Sequence, residues 1–192
     1  MRIILASSSP RRLQLMAQAD ISCEIIVSNV DENIDGPAYK QVEELAMRKA
    51  AAVQANIVGE AIIIAADTLV SIDGHVLSKP VDKADAFAML RALQGRKHTV
   101  YTGVAIIKTG SKGNMLCSFV DTADVYFRPL SNDEIKGYIA TGEPFDKAGA
   151  YGVQGRGAVL VSRIEGDFYT VMGLPISRLC VELANMGVNI WN

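Results

Sequence analysis

The chain has 192 residues, 49% of them hydrophobic and 21% charged, with a formal net charge of -2. That balance suits one α/β-sized domain, or two small lobes, with enough apolar material for a packed core. It excludes a general nucleic-acid binder, which needs a basic surface to displace counterions, and no apolar run approaches the roughly 18 residues of a membrane span.

In chain order, the run Ile3–Ala6 reads as a buried strand that leads through Ser7-Ser8-Ser9 into a helix, with Ser9 as N-cap and Pro10 at the first helical position. Cys23–Val27 reads as a second strand, followed by a polar stretch around Asp31-Glu32 and a loop at Gly36-Pro37. From about Ala38 to Asn56 the pattern is helical, with Val42, Leu45, Ala46, Lys49 and Ala50 near one face. Ala61–Ala66 is a continuous apolar run, read as a central strand that ends in Asp67-Thr68, after which Leu69–Ile72 resumes as a strand. Asp73-Gly74 is a hairpin signal, with His75–Leu77 returning to Ser78-Lys79-Pro80. Asp82–Leu93 reads as an amphipathic helix stopped by Gly95. Two long strands follow, about Thr99–Lys108 and Leu116–Phe127, joined by the turn Gly110-Ser111-Lys112-Gly113-Asn114. Ser131 and Glu134 form a capping box for a short helix ending at Gly142. A glycine-rich polar stretch runs from Glu143 to Gly157, Ala158–Glu165 and Phe168–Met172 read as a hairpin around Gly166-Asp167, and a last helix runs from about Pro175 to Asn185. Interleaved strands and helices without repeats predict an α/β fold with a mixed sheet.

Five polar clusters interrupt this scaffold at strand ends and in loops, where ligands gather in α/β proteins. At Ser7–Arg12 a strand turning into a helix aims free N–H groups and the positive helix end at one spot, and serines with Arg11 and Arg12 there fit an anion, above all a phosphate. A plain capped helix with two solvated arginines is the alternative, but cations in a first turn oppose the dipole unless an anion offsets them. Asp67 is either a turn aspartate or a group that binds a divalent metal or activates a water. Glu32 reads as a surface carboxylate unless it joins Asp67 at a metal. Lys79, held extended by Pro80, is either a solvated loop lysine or a partner for phosphate. Lys49 in its alanine-rich helix reads as a snorkelling surface lysine. In Asp146–Gly155 the glycines either make a flexible loop or let backbone approach a ligand, with Gln154 able to read a base edge. No GxGxxG follows the first strand and no P-loop is present. His75 and His98 read as structural or surface residues. Cys23, Cys117 and Cys180, odd in number and without a CxxC pair, fit a reducing compartment and form neither a disulfide framework nor a zinc site. The Ile3–Ala6 run is too short for a signal peptide, so the expected location is the cytoplasm.

Taken together and in order, Ser7-Ser8-Ser9-Pro10-Arg11-Arg12, Ala66-Asp67-Thr68, Ser78-Lys79-Pro80 and Asp146-Lys147-Ala148-Gly149-Ala150-Tyr151-Gly152-Val153-Gln154-Gly155 resemble the Maf family of nucleoside triphosphate pyrophosphatases along essentially the whole chain. The resemblance implies one Maf-like domain over residues 1–192, an inosine-triphosphatase-like α/β fold with a long mixed β-sheet flanked by helices, and a cleft between two lobes. It implies hydrolysis of a nucleoside triphosphate to the monophosphate and pyrophosphate with a divalent metal, Mg²⁺ or Mn²⁺. Arg11, Thr68 and Gln154 stand where dTTP- and UTP-preferring members look like this sequence, whereas members preferring 7-methyl-GTP carry tryptophan, glutamine and glutamate there. The same resemblance implies Asp67 as proton acceptor, phosphate contacts from Ser8, Arg12, Lys49 and Lys79, and metal ligation by Glu32 and Asp67. It further implies a homodimer, clearance of modified pyrimidine nucleotides, and a link to septum formation and cell-division arrest. That last association leaves a nucleotide-sensing regulatory module as an alternative needing no chemistry at Asp67. An enzyme of the same fold acting on deaminated purines is disfavoured by Thr68 and Gln154.

Overall fold

In a computed structural model of the chain, which describes residues 1–111 and 113–191, strand β1 (Arg2–Leu5) runs parallel to both β2 (Glu24–Ile25) and β3 (Ala61–Ile72). β4 (His75–Leu77) folds back antiparallel on β3, and β5 (Lys97–Thr109), β6 (Met115–Phe127) and β7 (Val161–Gly166) continue the sheet in the order β2-β1-β3-β5-β6-β7. β6 and β7 are antiparallel. The expected mixed sheet is therefore present, with seven strands among the described residues. Helices α1 (Pro10–Gln18), α2 (Ala38–Gln54), α3 (Lys83–Leu93), α4 (Asn132–Ala140), α5 (Phe168–Met172) and α6 (Ile176–Asn185) alternate with these strands.

The chain divides into two compact units. The first comprises Met1–Asp67, Thr102–Asp121 and Gly173–Asn192. Its core sets Ala46, Ala50 and Val53 of α2 against Ile4, Ala61, Ile63 and Ala65 of the strands, with Ala105 and Ile107 of β5. The small residues on α2 follow from geometry, because a Cβ built on Gly103 of β5 would stand 2.3 Å from the Val42 carbonyl oxygen. Helix and strand backbones touch there, and no side chain fits between them. The second unit comprises Thr68–Tyr101 and Thr122–Met172. Leu90 and Leu93 of α3 and Ile135 and Ile139 of α4 pack with Val100, Val125 and Phe127 in its core. His98 is buried there, with Nε2 at 2.7 Å from the Tyr151 hydroxyl and its ring edge-on to Phe127.

Three expectations need correction. The central strand does not end at Asp67 but runs unbroken to Ile72. Its distal half pairs with β4 through the Asp73-Gly74 turn, whose φ values of 52° and 79° are those a tight hairpin demands. Phe168–Met172 is a helix rather than a return strand. Its aromatic and β-branched residues favour a strand, but the Asp167 carboxylate accepts the N–H groups of Tyr169 at 3.2 Å and Thr170 at 3.0 Å and so starts a helical turn. The second strand shortens to Glu24–Ile25, both residues exposed. In the predicted turn between β5 and β6, Lys112 lies outside the described residues.

Two measurements check this packing. Gly103→Ala should destabilise the chain by about 3 kcal/mol or more, because the added methyl meets helix backbone rather than a side chain that can move; a urea melt within 0.5 kcal/mol of the parent would contradict the contact. For His98, burial pushes the imidazole pKa down to about 4, with Asp124 pulling weakly the other way. The unfolded chain therefore binds this proton first. The contribution of the neutral ring is complete above about pH 6.5 and is lost as pH falls towards 4, a loss of up to about 3 kcal/mol. His98→Gln should flatten the fall of the urea midpoint between pH 6.5 and 4.5 relative to the parent.

Candidate active site

The turn from β1 into α1 builds as expected in outline and differently in detail. Ser9 occupies the N-cap position with Pro10 first in the helix, but the Ser9 side chain makes no capping bond. The buried Ser7 hydroxyl instead accepts the N–H of Ser9 itself at 3.2 Å, closing the turn that precedes the helix. The same oxygen accepts from the Arg12 guanidinium at 3.1 Å, and Arg12 Nε donates to the Gly173 carbonyl at 2.7 Å. The first turn of α1 holds no acidic residue, so the dipole's positive end and two arginines share one place. Burial draws the Arg12 guanidinium below its usual range, the charge of Asp67 opposes that, Arg11 reinforces it and Glu32 opposes it more weakly. A guanidinium keeps its proton through such a shift. Ser8 is exposed in this turn, and Arg11 is half-buried.

Behind that turn lies a pair of buried charges. α2 presents its apolar face to the sheet, and Lys49 falls on that face one turn beyond Leu45 and Ala46. Lys49 is therefore no snorkelling surface lysine: it is 9% exposed, as is Asp67. Its ammonium donates to Asp67 Oδ1 at 2.7 Å and lies 2.6 Å from Glu32 Oε1. Glu32 reaches this pair from a loop, with its side chain 60% exposed. This pairing explains why β3 continues through an aspartate, since the carboxylate is satisfied where it stands. Two carboxylates facing one cation also fit a divalent metal, because Mg²⁺ is commonly held by one or two carboxylates plus substrate phosphate oxygens. Among the described residues, no group of three or more His, Cys, Asp and Glu is placed to hold a metal ion. Ser7, Arg12, Glu32, Lys49 and Asp67 thus come together within the first unit.

Thr68, Lys79 and Gln154 belong to the second unit. Lys79 is exposed and Pro80 beside it is buried. The segment is fastened by the Ser78 carbonyl, which accepts the Gly149 N–H at 3.0 Å. Gly149 has φ 67°, and a Cβ there would sit 3.1 Å from the Val70 side chain, so glycine is required twice over. Thr68 and Gln154 are both half-buried. Sequence reasoning missed the supporting cast: Ser7 as the hydroxyl that closes the turn and braces Arg12, the Gly173 carbonyl on Arg12, and Glu143 beside the Gln154 loop. Only the position of Ser7 in the serine run could have signalled the first. The others are contacts over more than ten residues of sequence that no local pattern carries.

Comparison with known proteins places the chain in a family. A profile of the family described as Maf-like protein matches residues 2–186. A dTTP/UTP pyrophosphatase of Moorella thermoacetica is 47% identical over 99% of this chain and 97% of its own length. Proteins of the same name are 48% identical in Symbiobacterium thermophilum, over 99% of this chain and 96% of that one, and 45% identical in Clostridium novyi, over 99% and 100%. Among solved structures, the Staphylococcus aureus Ham1 protein superposes with a TM-score of 0.51 over 95% of this chain and 100% of that one, at 15% identity, which marks a shared fold. With a family profile spanning nearly its full length and relatives near half identity over almost all of it, this chain belongs to the Maf family.

Proposed function

We propose that this chain is a nucleoside triphosphate pyrophosphatase that hydrolyses dTTP and UTP between the α- and β-phosphates, releasing the monophosphate and pyrophosphate. The observation that carries this reading is Asp67, a carboxylate almost out of water in mid-strand and held by the Lys49 ammonium at 2.7 Å. The names of its relatives, dTTP/UTP pyrophosphatases, supply the substrate class.

In this mechanism Asp67 accepts a proton from the water that attacks phosphorus. Lys49 holds the carboxylate in place and, with three N–H donors, keeps one for a phosphate oxygen after serving two carboxylates. Arg12, braced by the Ser7 hydroxyl and the Gly173 carbonyl, holds its positive charge beside the phosphates without reorganising as charge builds. Ser8 and the N-terminal amides of α1 add neutral donors at the same turn. Mg²⁺ or Mn²⁺, held by Glu32 and Asp67, supplies Lewis-acid stabilisation of phosphate charge when bound. Lys79 offsets charge on the phosphates. Arg11, Thr68 and Gln154 discriminate the nucleotide, with the threonine hydroxyl and the glutamine amide hydrogen-bonding a pyrimidine edge.

Asp67→Asn tests this assignment, because the amide keeps the shape of the carboxylate and removes its basicity. Pyrophosphate release from dTTP with Mg²⁺ should fall at least about 100-fold while the circular dichroism spectrum stays that of the folded parent. A variant releasing pyrophosphate at the parent rate would remove Asp67 from the chemistry, and a parent chain that binds dTTP but releases no pyrophosphate would be a nucleotide-binding module.

A further inference from the structure

The mechanism above leaves unused a half-buried carboxylate whose oxygens face backbone. Glu143 follows Gly142, which ends the α4 region with φ 80°. Its Oε1 accepts the Arg156 N–H at 3.0 Å and its Oε2 accepts the Gly157 N–H at 3.2 Å. Gly155 has φ 63°, and a Cβ there would stand 3.0 Å from Glu143 Oε1. The chain therefore wraps closely around the carboxylate just after Gln154. Just before it, the Gly152 N–H donates to the Tyr138 hydroxyl at 3.3 Å. A Cβ on Gly157 would lie 2.1 Å from the Gly152 carbonyl oxygen, so the two ends of this turn are in direct backbone contact. Lys147 completes the support, its ammonium donating to the Glu143 carbonyl at 2.6 Å and pairing with Asp146 at 2.5 Å. Gln154 stands between two fastened ends.

We propose that Glu143 is a positioning residue that fixes how Gln154 is presented, and through it the discrimination between pyrimidine bases; the inference rests on the base-reading role of Gln154 given above. A carboxamide has a donor end and an acceptor end. Turned one way it matches the carbonyl and N–H of uracil or thymine. Turned the other way it matches the amino group and ring nitrogen of cytosine. Only an amide held in one orientation tells them apart, and a turn gripped by two charge-assisted bonds to one carboxylate gives that hold. The phosphate chemistry does not pass through Glu143, so its loss should change selectivity more than turnover.

The test is kcat and KM for dTTP and dCTP in the full chain and in Glu143→Ala, Glu143→Gln, Gln154→Ala and the double variant Glu143→Ala/Gln154→Ala, with melting curves for each. The dTTP-over-dCTP ratio of kcat/KM should fall about tenfold in Glu143→Ala, mainly through a higher KM for dTTP. Glu143→Gln, which keeps one acceptor oxygen, should fall between that variant and the parent, and it carries the test should Glu143→Ala fail to fold. The double variant should be no less selective than Gln154→Ala alone, since both changes act through one side chain. An unchanged ratio in Glu143→Ala beside a reduced one in Gln154→Ala would overturn the proposal and leave the role of Gln154 intact. Equal losses on both nucleotides in both Glu143 variants would also overturn it. An unchanged ratio in Gln154→Ala would remove the base-reading role and this proposal together.

Discussion

Lys49 Nζ lies 2.7 Å from Asp67 and 2.6 Å from Glu32, where lysine and aspartate are each only 9% exposed. Drawing such charges out of water costs several kcal/mol per ion, and their attraction repays it only when geometry and partners are good. Much of the first unit can be understood as meeting those terms. α2 has to turn a lysine inward along with its alanines, and it can lie close enough only because β5 offers Gly103 where the backbones meet. β3 has to carry a carboxylate in mid-strand, and it does so without a break because the ammonium is already there. A buried ion pair adds little stability over a well-packed apolar pair. Its place here is better explained by chemistry, since it sits beside a helix N-terminus and a braced arginine.

The second unit meets a different constraint, the close approach of glycine backbone to its neighbours. Gly157 against the Gly152 carbonyl leaves no room for a side chain, and Gly149 lies tight against the Val70 side chain. These contacts hold two segments in place. One is the Ser78-Lys79-Pro80 stretch, bonded to Gly149, and the other is the turn that carries Gln154. Of the two readings open for this glycine-rich stretch, the contacts are those of a tied turn. His98 and Tyr151 anchor it from the core.

The division between what was legible in the sequence and what was not follows the range of the interactions. Asp73-Gly74, the Ser131–Glu134 capping box and the apolar run of β3 are local signals, and each builds what it encodes. The serine, aspartate, lysine and glycine motifs pointed to the family because their order along the chain is itself specific. Lys49 reads locally as a surface lysine because its helix pattern says which face it shares but not that a carboxylate waits there, and only the family resemblance gives it a role at phosphate. The strand continuing past Asp67 was hidden for the same reason, since a charged residue ends an apolar run unless a distant partner satisfies it. Phe168–Met172 failed in the opposite direction, its strand-like residues overruled by the single carboxylate of Asp167.

The central claim is that this site cuts a pyrimidine nucleoside triphosphate at the α–β bond. Phosphorus NMR of the purified chain with dTTP and Mg²⁺ tests it most directly, because the two possible cuts leave different products. The account predicts dTMP and pyrophosphate appearing in equal amounts, with no build-up of dTDP. Orthophosphate with dTDP, or dTTP left intact, would contradict it.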